Sequence, residues 1–344
     1  MINILDCTIR DGSYATNYQW DNEILVSLVS GLSRAGIPYI EVGNGTGLGM
    51  YRKVNGAKTD QEYFTHTIKY KNSSKIGVFF IPSIGSYDDI LNFKNEGGDF
   101  IRIGINATET QQAIPYIEYA KQLGLEVFCN LMKTYAISVY QLAFASAPLI
   151  NAGVDCIYIV DSAGGMTPQQ VQDYFSAMHA IYDISLGFHG HNNLLMANAN
   201  SYMAVRSGAT FVDATLMSLG RGAGNAQIES LVALFQKTKM LREEIDVNML
   251  CNLSDDIIHD IRKDQKANTR RNIVIGAANF HDSYLPIAEK YAQKYCINTE
   301  VLITEVSKVN MVNPSEDLFN LIASKIVNNT VHNIHYPKFC HKKY

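Results

Sequence analysis

No apolar run in the 344 residues approaches the length of a membrane span, and the opening residues, MINILDCTIRDG, lack the basic start and long apolar stretch of a secretion leader. Those absences set aside the membrane-spanning and exported classes; the expectation is a cytoplasmic protein with no membrane partner. Strong charge of either sign is missing too. A formal net charge of −4, with 18% charged residues, gives no general attraction for nucleic acid, so an anionic substrate has to be held by local groups. Cysteine is sparse and scattered, as Cys7, Cys129, Cys156, Cys251, Cys296 and Cys340, with no C-x-x-C pair; the expectation is reduced, small core residues. Internal repeats and low-complexity stretches are absent as well. The tail gathers His332, His335, Cys340 and His341, a set able to chelate a metal but more simply read as a solvated, basic terminus.

What is present is a chain 47% hydrophobic, enough for a large core as one domain with an appendage or as two domains. Short β-branched runs near 2–7, 39–42, 76–81, 100–103, 126–131, 156–160, 185–189 and 211–214 read as strands. Helix-length amphipathic stretches separate them at 23–35, 88–96, 113–123, 138–151 and 168–181, the last announced by Thr167 as N-cap and Pro168 as first helical residue. Alternation of this kind predicts an α/β fold, a (β/α)8 TIM barrel with a C-terminal helical appendage; a doubly wound open sheet is the competitor. After about residue 240 the periodicity is only helical, at 249–262, 283–294, 299–308 and 316–328. The expected division is therefore a catalytic barrel over 1–240 and a helical part over 241–344, packed at the barrel mouth and able to contact a partner. Between those helices, KANTRRNIVIGAANFH reads as a connector of polar and small residues.

The polar residues of interest fall at strand C-termini, where parallel α/β folds place their chemistry. His189 and His191, two apart at the end of a strand, face one way and form a two-imidazole metal-ligand fragment that lacks an anionic member. In a barrel, Asp11 after the first strand supplies it, giving an open site suited to Mn²⁺, Mg²⁺ or Zn²⁺. Glu41 at the end of the second strand is placed to fix the Arg10 guanidinium, which would then present donors to a developing oxyanion; the plainer alternative is an ion-pair network at the mouth. Asn225 closes the loop GRGAGN, where its carbonyl can reach a metal or the loop is simply a tight turn. Arg221 in that loop either meets an anionic substrate or is solvated. The run GNGTGLG at 43–49 lacks the G-x-G-x-x-G spacing, which argues against a nicotinamide cofactor.

Together TIRDG at 8–12, Glu41, HGHN at 189–192 and GAGN at 222–225 resemble the metal-dependent superfamily of pyruvate aldolases, 3-hydroxy-3-methylglutaryl-CoA lyases and isopropylmalate synthases. Within it GLG at 47–49, TDQEY at 59–63, IPSIGS at 81–86, IYIVDSAGGM at 157–166, PIAEKYAQKY and MVNPSEDL are most similar to the 4-hydroxy-2-oxovalerate aldolase family. The resemblance implies a class II aldolase that interconverts a 4-hydroxy-2-oxo acid with pyruvate and an aldehyde. It implies a divalent metal, Mn²⁺ first and Mg²⁺, Co²⁺ or Zn²⁺ otherwise, on Asp11, His189 and His191 with Asn225 nearby. Arg10 would stabilise the enolate, and Ser162 would hold the substrate carboxylate. Tyr14 stands where the family carries a catalytic histidine, and His281 where it carries a tyrosine, so either base and acid have exchanged roles or the substrate differs and proton transfer is arranged anew. The resemblance also implies an acylating aldehyde dehydrogenase as partner; a homodimer is a further expectation. The rival functions are an acyl-CoA-dependent condensing enzyme or lyase of the same superfamily, and a non-catalytic scaffold that keeps the metal site.

Overall fold

Eight strands alternate with helices and close on themselves. The computed structural model describes residues 1–263, 265 and 269–332, the last four in backbone only. In chain order the strands are β1 (Asn3–Asp6), β2 (Tyr39–Val42), β3 (Lys75–Phe80), β4 (Phe100–Asn106), β5 (Glu126–Met132), β6 (Cys156–Asp161), β7 (Ser185–Gly190) and β8 (Phe211–Ala214). Each is parallel to its neighbours, and β8 pairs with β1 through Asn3–Phe211 to Asp6–Ala214, which rules out the open doubly wound sheet.

The helices are α1 (Thr8–Gly12), α2 (Asn22–Arg34), α3 (Asp60–Thr67), α4 (Tyr87–Asn95), α5 (Ile114–Gln122), α6 (Val139–Asn151), α7 (Pro168–His179), α8 (Ala197–Arg206) and α9 (Ile228–Lys237). They are followed by α10 (Val247–Leu253), α11 (His259–Ile261), α12 (Arg270–Ala277), α13 (Leu285–Lys294), α14 (Thr299–Val309) and α15 (Glu316–His332). Local chemistry starts several of them. Thr59–Glu62, Ser86–Asp89, Ser138–Gln141 and Thr167–Gln170 form reciprocal capping boxes at α3, α4, α6 and α7, satisfying backbone donors that a helix start leaves open.

Side chains two apart on a strand share a face, and inside the barrel this stacks a polar layer on an aromatic one. Tyr39, Phe100, Phe128, Tyr158 and Phe211 fill the lower interior, with Tyr39 and Phe211 meeting across the barrel at 5.1 Å between ring centroids. Two residues further along, Tyr39 leads to Glu41, Phe100 to Arg102, Phe128 to Asn130 and Phe211 to Asp213, all buried. Oily packing thus closes the bottom, and ionised groups gather beneath the mouth.

Some expectations change. Strand β1 ends at Asp6, so Arg10 and Asp11 sit on the short helix α1 beyond it rather than on the strand itself. The supposed connector contains a helix, α12, because Thr269 and Asn272 make a fifth capping box. The helical stretch at 249–262 was assigned to the appendage, yet Leu250 and Ile258 join the barrel's core, and a separate core of Ile275, Phe280, Leu302, Val306, Phe319 and neighbours forms after it. Cys251 and Cys296 are exposed rather than core residues. Of the tail, His335, Cys340 and His341 and the side chain of His332 lie outside the described residues.

The helices α12 to α15 meet the barrel at the C-terminal strand ends, where their seam depends on a close backbone approach. A Cβ on Gly165, in the loop after β6, would run into the Gly276 carbonyl oxygen of α12. Gly165→Ala is therefore expected to cost about 1–3 kcal/mol of stability, the usual penalty of overpacking, measured by urea denaturation. An unchanged midpoint would mean that the seam yields freely.

Candidate active site

Asp11, His189 and His191 come together although 180 positions separate the ends of the set; their ligand atoms all lie within 4.8 Å of one another and all three are buried. His189 ends β7 pointing inward, and its Nδ1 lies 2.8 Å from Asp213 Oδ2, which fixes the ring and turns Nε2 to the mouth. His191 lies just past the strand, pinned by a bridge between its backbone and that of Asn225. Asp11 is gripped from two sides, by Arg10 Nη1 at 2.6 Å and Asn225 Nδ2 at 2.5 Å. Burial alone would push the Asp11 carboxyl up, but Arg10 and the two imidazoles hold it well below the usual carboxylate range. Burial, with Arg221 adding to it, pushes His191 down and keeps its imidazole neutral.

Beneath them lies a chain of ion pairs. Arg10 Nε donates to Glu41 Oε2 at 2.8 Å, Arg102 Nη1 reaches the same oxygen at 3.1 Å, and Arg102 Nη2 donates to Asp213 Oδ2. Arg10, Glu41 and Asp11 are thus joined, as the motif reading anticipated from Glu41. Arg102 and Asp213 were missed, although aromatic-x-polar in four strands was their signal. Arg102 also donates to Cys7 Sγ at 3.4 Å. The group Cys7, His189 and Asp213 is compact enough to hold an ion as well, but this guanidinium already bonds both Cys7 and Asp213 and takes that place.

The residues fit a divalent cation above the network. Two neutral imidazoles and one ionised carboxylate are a common donor set for such metals. Asn225 Oδ1 is buried without a hydrogen-bond partner, an orphan acceptor beside Asp11. Arg221 supplies a second sign: its Nη2 stands 3.0 Å from His191 Nε2, so a cationic group already borders this lone pair.

The other expected residues line the mouth. Ser162 follows β6; its Oγ accepts from Lys133 N at 2.9 Å and its carbonyl accepts from Arg221 Nη2 at 3.2 Å. His281 sits before α13, with Nδ1 accepting from Ser283 N at 3.2 Å and lying 3.3 Å from Arg221 Nη1. Burial and the Arg221 charge push the His281 imidazole well down. Tyr14 packs its ring on Gly45, and burial pushes its phenol up to about 12. No hydrogen bond joins Tyr14 to His281 among the described residues. Lys133 and Asp282 were not foreseen. Lys133, left-handed at φ 57°, tucks its Nζ against the Val312 carbonyl at 2.5 Å, and Asp282 Oδ1 is buried and unpartnered.

Comparison with known proteins places this arrangement among relatives. The HMGL-like family model matches residues 101–257. The chain is 33% identical over 325 residues to a 4-hydroxy-2-oxovalerate aldolase of Geobacillus thermodenitrificans, covering 94% of this chain and 95% of that protein. It is 40% identical over 235 residues to an oxaloacetate decarboxylase of Mycobacterium tuberculosis, covering 68% of this chain and 70% of the other. The carboxyl transferase domain of Rhizobium etli pyruvate carboxylase shares the fold, with TM-score 0.77 at 13% identity over 95% of this chain and 60% of that one.

Asp213 is expected to matter for metal although it touches none. Asp213→Asn should weaken Mn²⁺ binding by about 10–100-fold, as loss of a carboxylate behind a ligating imidazole generally does, while His189→Ala weakens it further. Calorimetric titration of Mn²⁺ into both variants checks this, and an Asp213→Asn affinity equal to wild type would contradict it.

Proposed function

The chain belongs to the 4-hydroxy-2-oxovalerate aldolase family, and from that premise we propose how it works: Asp11, His189 and His191 hold a divalent metal, and the pocket above them cleaves a 4-hydroxy-2-oxo acid to pyruvate and an aldehyde. The enzyme is a carbon–carbon lyase. The observation that carries the site assignment is the convergence of one ionised carboxylate and two buried imidazoles beside the orphan Asn225 Oδ1.

Bound there, a divalent ion would polarise the keto oxygen and stabilise negative charge on it, an effect worth several kcal/mol in metal-assisted chemistry of this kind. This chain's residues supply the rest. Arg10, with Nε and Nη1 committed to Glu41 and Asp11, has no hydrogen bond from Nη2 among the described residues, and this nitrogen is ready to donate to the enolate oxygen. Ser162 and the adjoining backbone receive the C1 carboxylate. His281 takes the proton of the 4-hydroxyl; as C4 becomes an aldehyde carbon, the C3–C4 electron pair moves into the C2–C3 bond and charge develops on the keto oxygen. C3 then takes a proton for which Tyr14, a phenol held protonated, is the donor. Tyrosine and histidine thereby trade the roles that the family gives to these positions.

The metal in the cell is Mn²⁺ on this reading, supported by the mixed nitrogen and oxygen donors. No helix among the described residues is long and apolar enough to cross a membrane, in keeping with a cytoplasmic location. A homodimer and an acylating aldehyde dehydrogenase as receiver of the aldehyde complete the proposal, with the helices α12 to α15 at the mouth as the contact. The acyl-CoA-dependent alternative has less support because relatives matched over 94% of the chain are named 4-hydroxy-2-oxovalerate aldolases, and the scaffold alternative because Arg10, Asp11, His189, His191 and Asn225 are assembled in one buried site.

Incubated with Mn²⁺ and 4-hydroxy-2-oxovalerate, the protein is expected to release pyruvate, and a chelator to abolish this; pyruvate release indifferent to chelators would defeat the metal assignment. His281→Ala should lower kcat by about a hundredfold or more, the usual loss of a general base, and by more than Tyr14→Phe does. Because the His281 imidazole lies below its ordinary value of 6.5, it stays unprotonated, and able to accept, to lower pH. The acid limb of the kcat/KM profile should accordingly fall below pH 6.5 and vanish in His281→Ala; a limb above 7 points to another base.

A further inference from the structure

The mouth holds more positive charge than the reaction just described uses. In the network below it, Asp11, Glu41 and Asp213 face Arg10 and Arg102, three acids for two guanidiniums, an imbalance that a divalent cation reverses. Arg221 and Lys133 stand outside this account. Among the described residues neither has a carboxylate within salt-bridge distance. Arg221 donates to the Ser162 carbonyl and meets His191 and His281, all neutral acceptors. Lys133, 6% exposed, donates to the Val312 carbonyl and Asn313 Oδ1. The acids that influence them do so at longer range: Asp11 and Asp282 act on Arg221, and Glu109, itself tied to Asn106 and Asn313, acts on Lys133. Burial and the neighbouring Arg221 charge push the Lys133 amine down to about 8, as two cations crowded into one pocket would do to each other.

Lys133 is buried and Arg221 half-buried; cations withdrawn from water without a counter-ion are costly, and the arrangement becomes favourable when an anion enters beside them. Ser162 touches both residues: its hydroxyl accepts from the Lys133 backbone N–H and its carbonyl from the Arg221 guanidinium. One carboxylate of the substrate is already assigned to Ser162 and its backbone, and Arg10 is turned to the keto oxygen. Arg221 comes from a loop with left-handed backbone at Gly222 (φ 63°) and Gly224 (φ 87°), and its fork reaches His191 of the metal-ligand set. A planar guanidinium is matched to a carboxylate.

Building on the aldolase reading, we propose that Arg221, assisted by Lys133, receives a second carboxylate attached beyond C4, so that the preferred substrate is a dicarboxylic 4-hydroxy-2-oxo acid and the aldehyde released is itself an acid. Arg221 would leave the two imidazoles to do so.

The test compares two substrates of equal chain length with the Mn²⁺-loaded enzyme: 4-hydroxy-2-oxoglutarate, ending in a carboxylate, and 4-hydroxy-2-oxovalerate, ending in a methyl. Wild type should favour the dicarboxylate by about tenfold or more in kcat/KM, the discrimination that a charge-assisted hydrogen-bonded pair supplies, and Arg221→Ala should lose that preference. Absence of preference in wild type overturns the proposal. So does an Arg221→Ala enzyme in which both substrates fall by one factor, since Arg221 would then serve the carboxylate they share. Cleavage of neither substrate would defeat the aldolase reading instead. The subsite is then judged by calorimetry alone: 2-oxoglutarate binding about tenfold tighter than 2-oxovalerate in wild type, but not in Arg221→Ala, upholds it, and equal affinities overturn it. Circular dichroism of the variant verifies that it is folded.

Discussion

A guanidinium sealed inside the barrel, that of Arg102, is the part on which the site depends. It spans the interior from β4, touching Glu41 of β2 and Asp213 of β8 and lying 4.5 Å from the centre of the Tyr158 ring. Breaking a buried ion network by removing one partner generally costs about 3–5 kcal/mol, whereas replacing it whole by apolar groups is often neutral, so stability alone gives little reason to keep it. Its value lies in orientation. Glu41 is held to receive Arg10, and Asp213 is held to receive His189, so one cation sets the aim of both the proposed oxyanion donor and a proposed metal-ligand imidazole.

Above that network the chain is built to bring distant segments close. Arg10 and Asp11 ride on a helix of little more than one turn after β1, and the loop from Gly220 to Asn225 leans over them so that Asn225 clasps Asp11. The appendage then closes the side with His281 and Asp282, and its Val312 carbonyl anchors Lys133. Barrel and appendage therefore share one pocket even though their apolar cores are separate. Metal and enolate chemistry would belong to the lower half of the pocket; in the upper half Arg221 and Lys133 have no carboxylate within salt-bridge distance among the described residues, and there substrates would be told apart.

Much of this was legible in the sequence because it obeys local rules. Eight β-branched runs at even spacing predicted the strands within a residue or a few, and Thr167-Pro168 marked the start of α7. The histidine pair stood out because strand periodicity puts both rings on one face, and Asp11 followed from the barrel topology. Arg102 and Asp213 stayed hidden for a physical reason: each is one charge in an apolar strand, and only the lateral alignment of four aromatic-x-polar patterns turns them into a layer. The helix at Arg270–Ala277 was hidden because its faces do not separate by polarity: Asn272 is buried beside Ile275 and Gly276, while Ile273 is exposed. The position of Arg221 is a tertiary fact, since its three partners come from the segments after β6 and β7 and from the appendage.

The central claim is that Asp11, His189 and His191 jointly grip one divalent ion above the Arg102 network. Anomalous diffraction from crystals soaked in Mn²⁺, recorded at the manganese edge, measures it directly. The account predicts a single strong peak bounded by the Asp11 carboxylate and the two imidazoles, with Arg221 withdrawn from His191. A pocket without a peak, or a peak seated elsewhere on the chain, would contradict it.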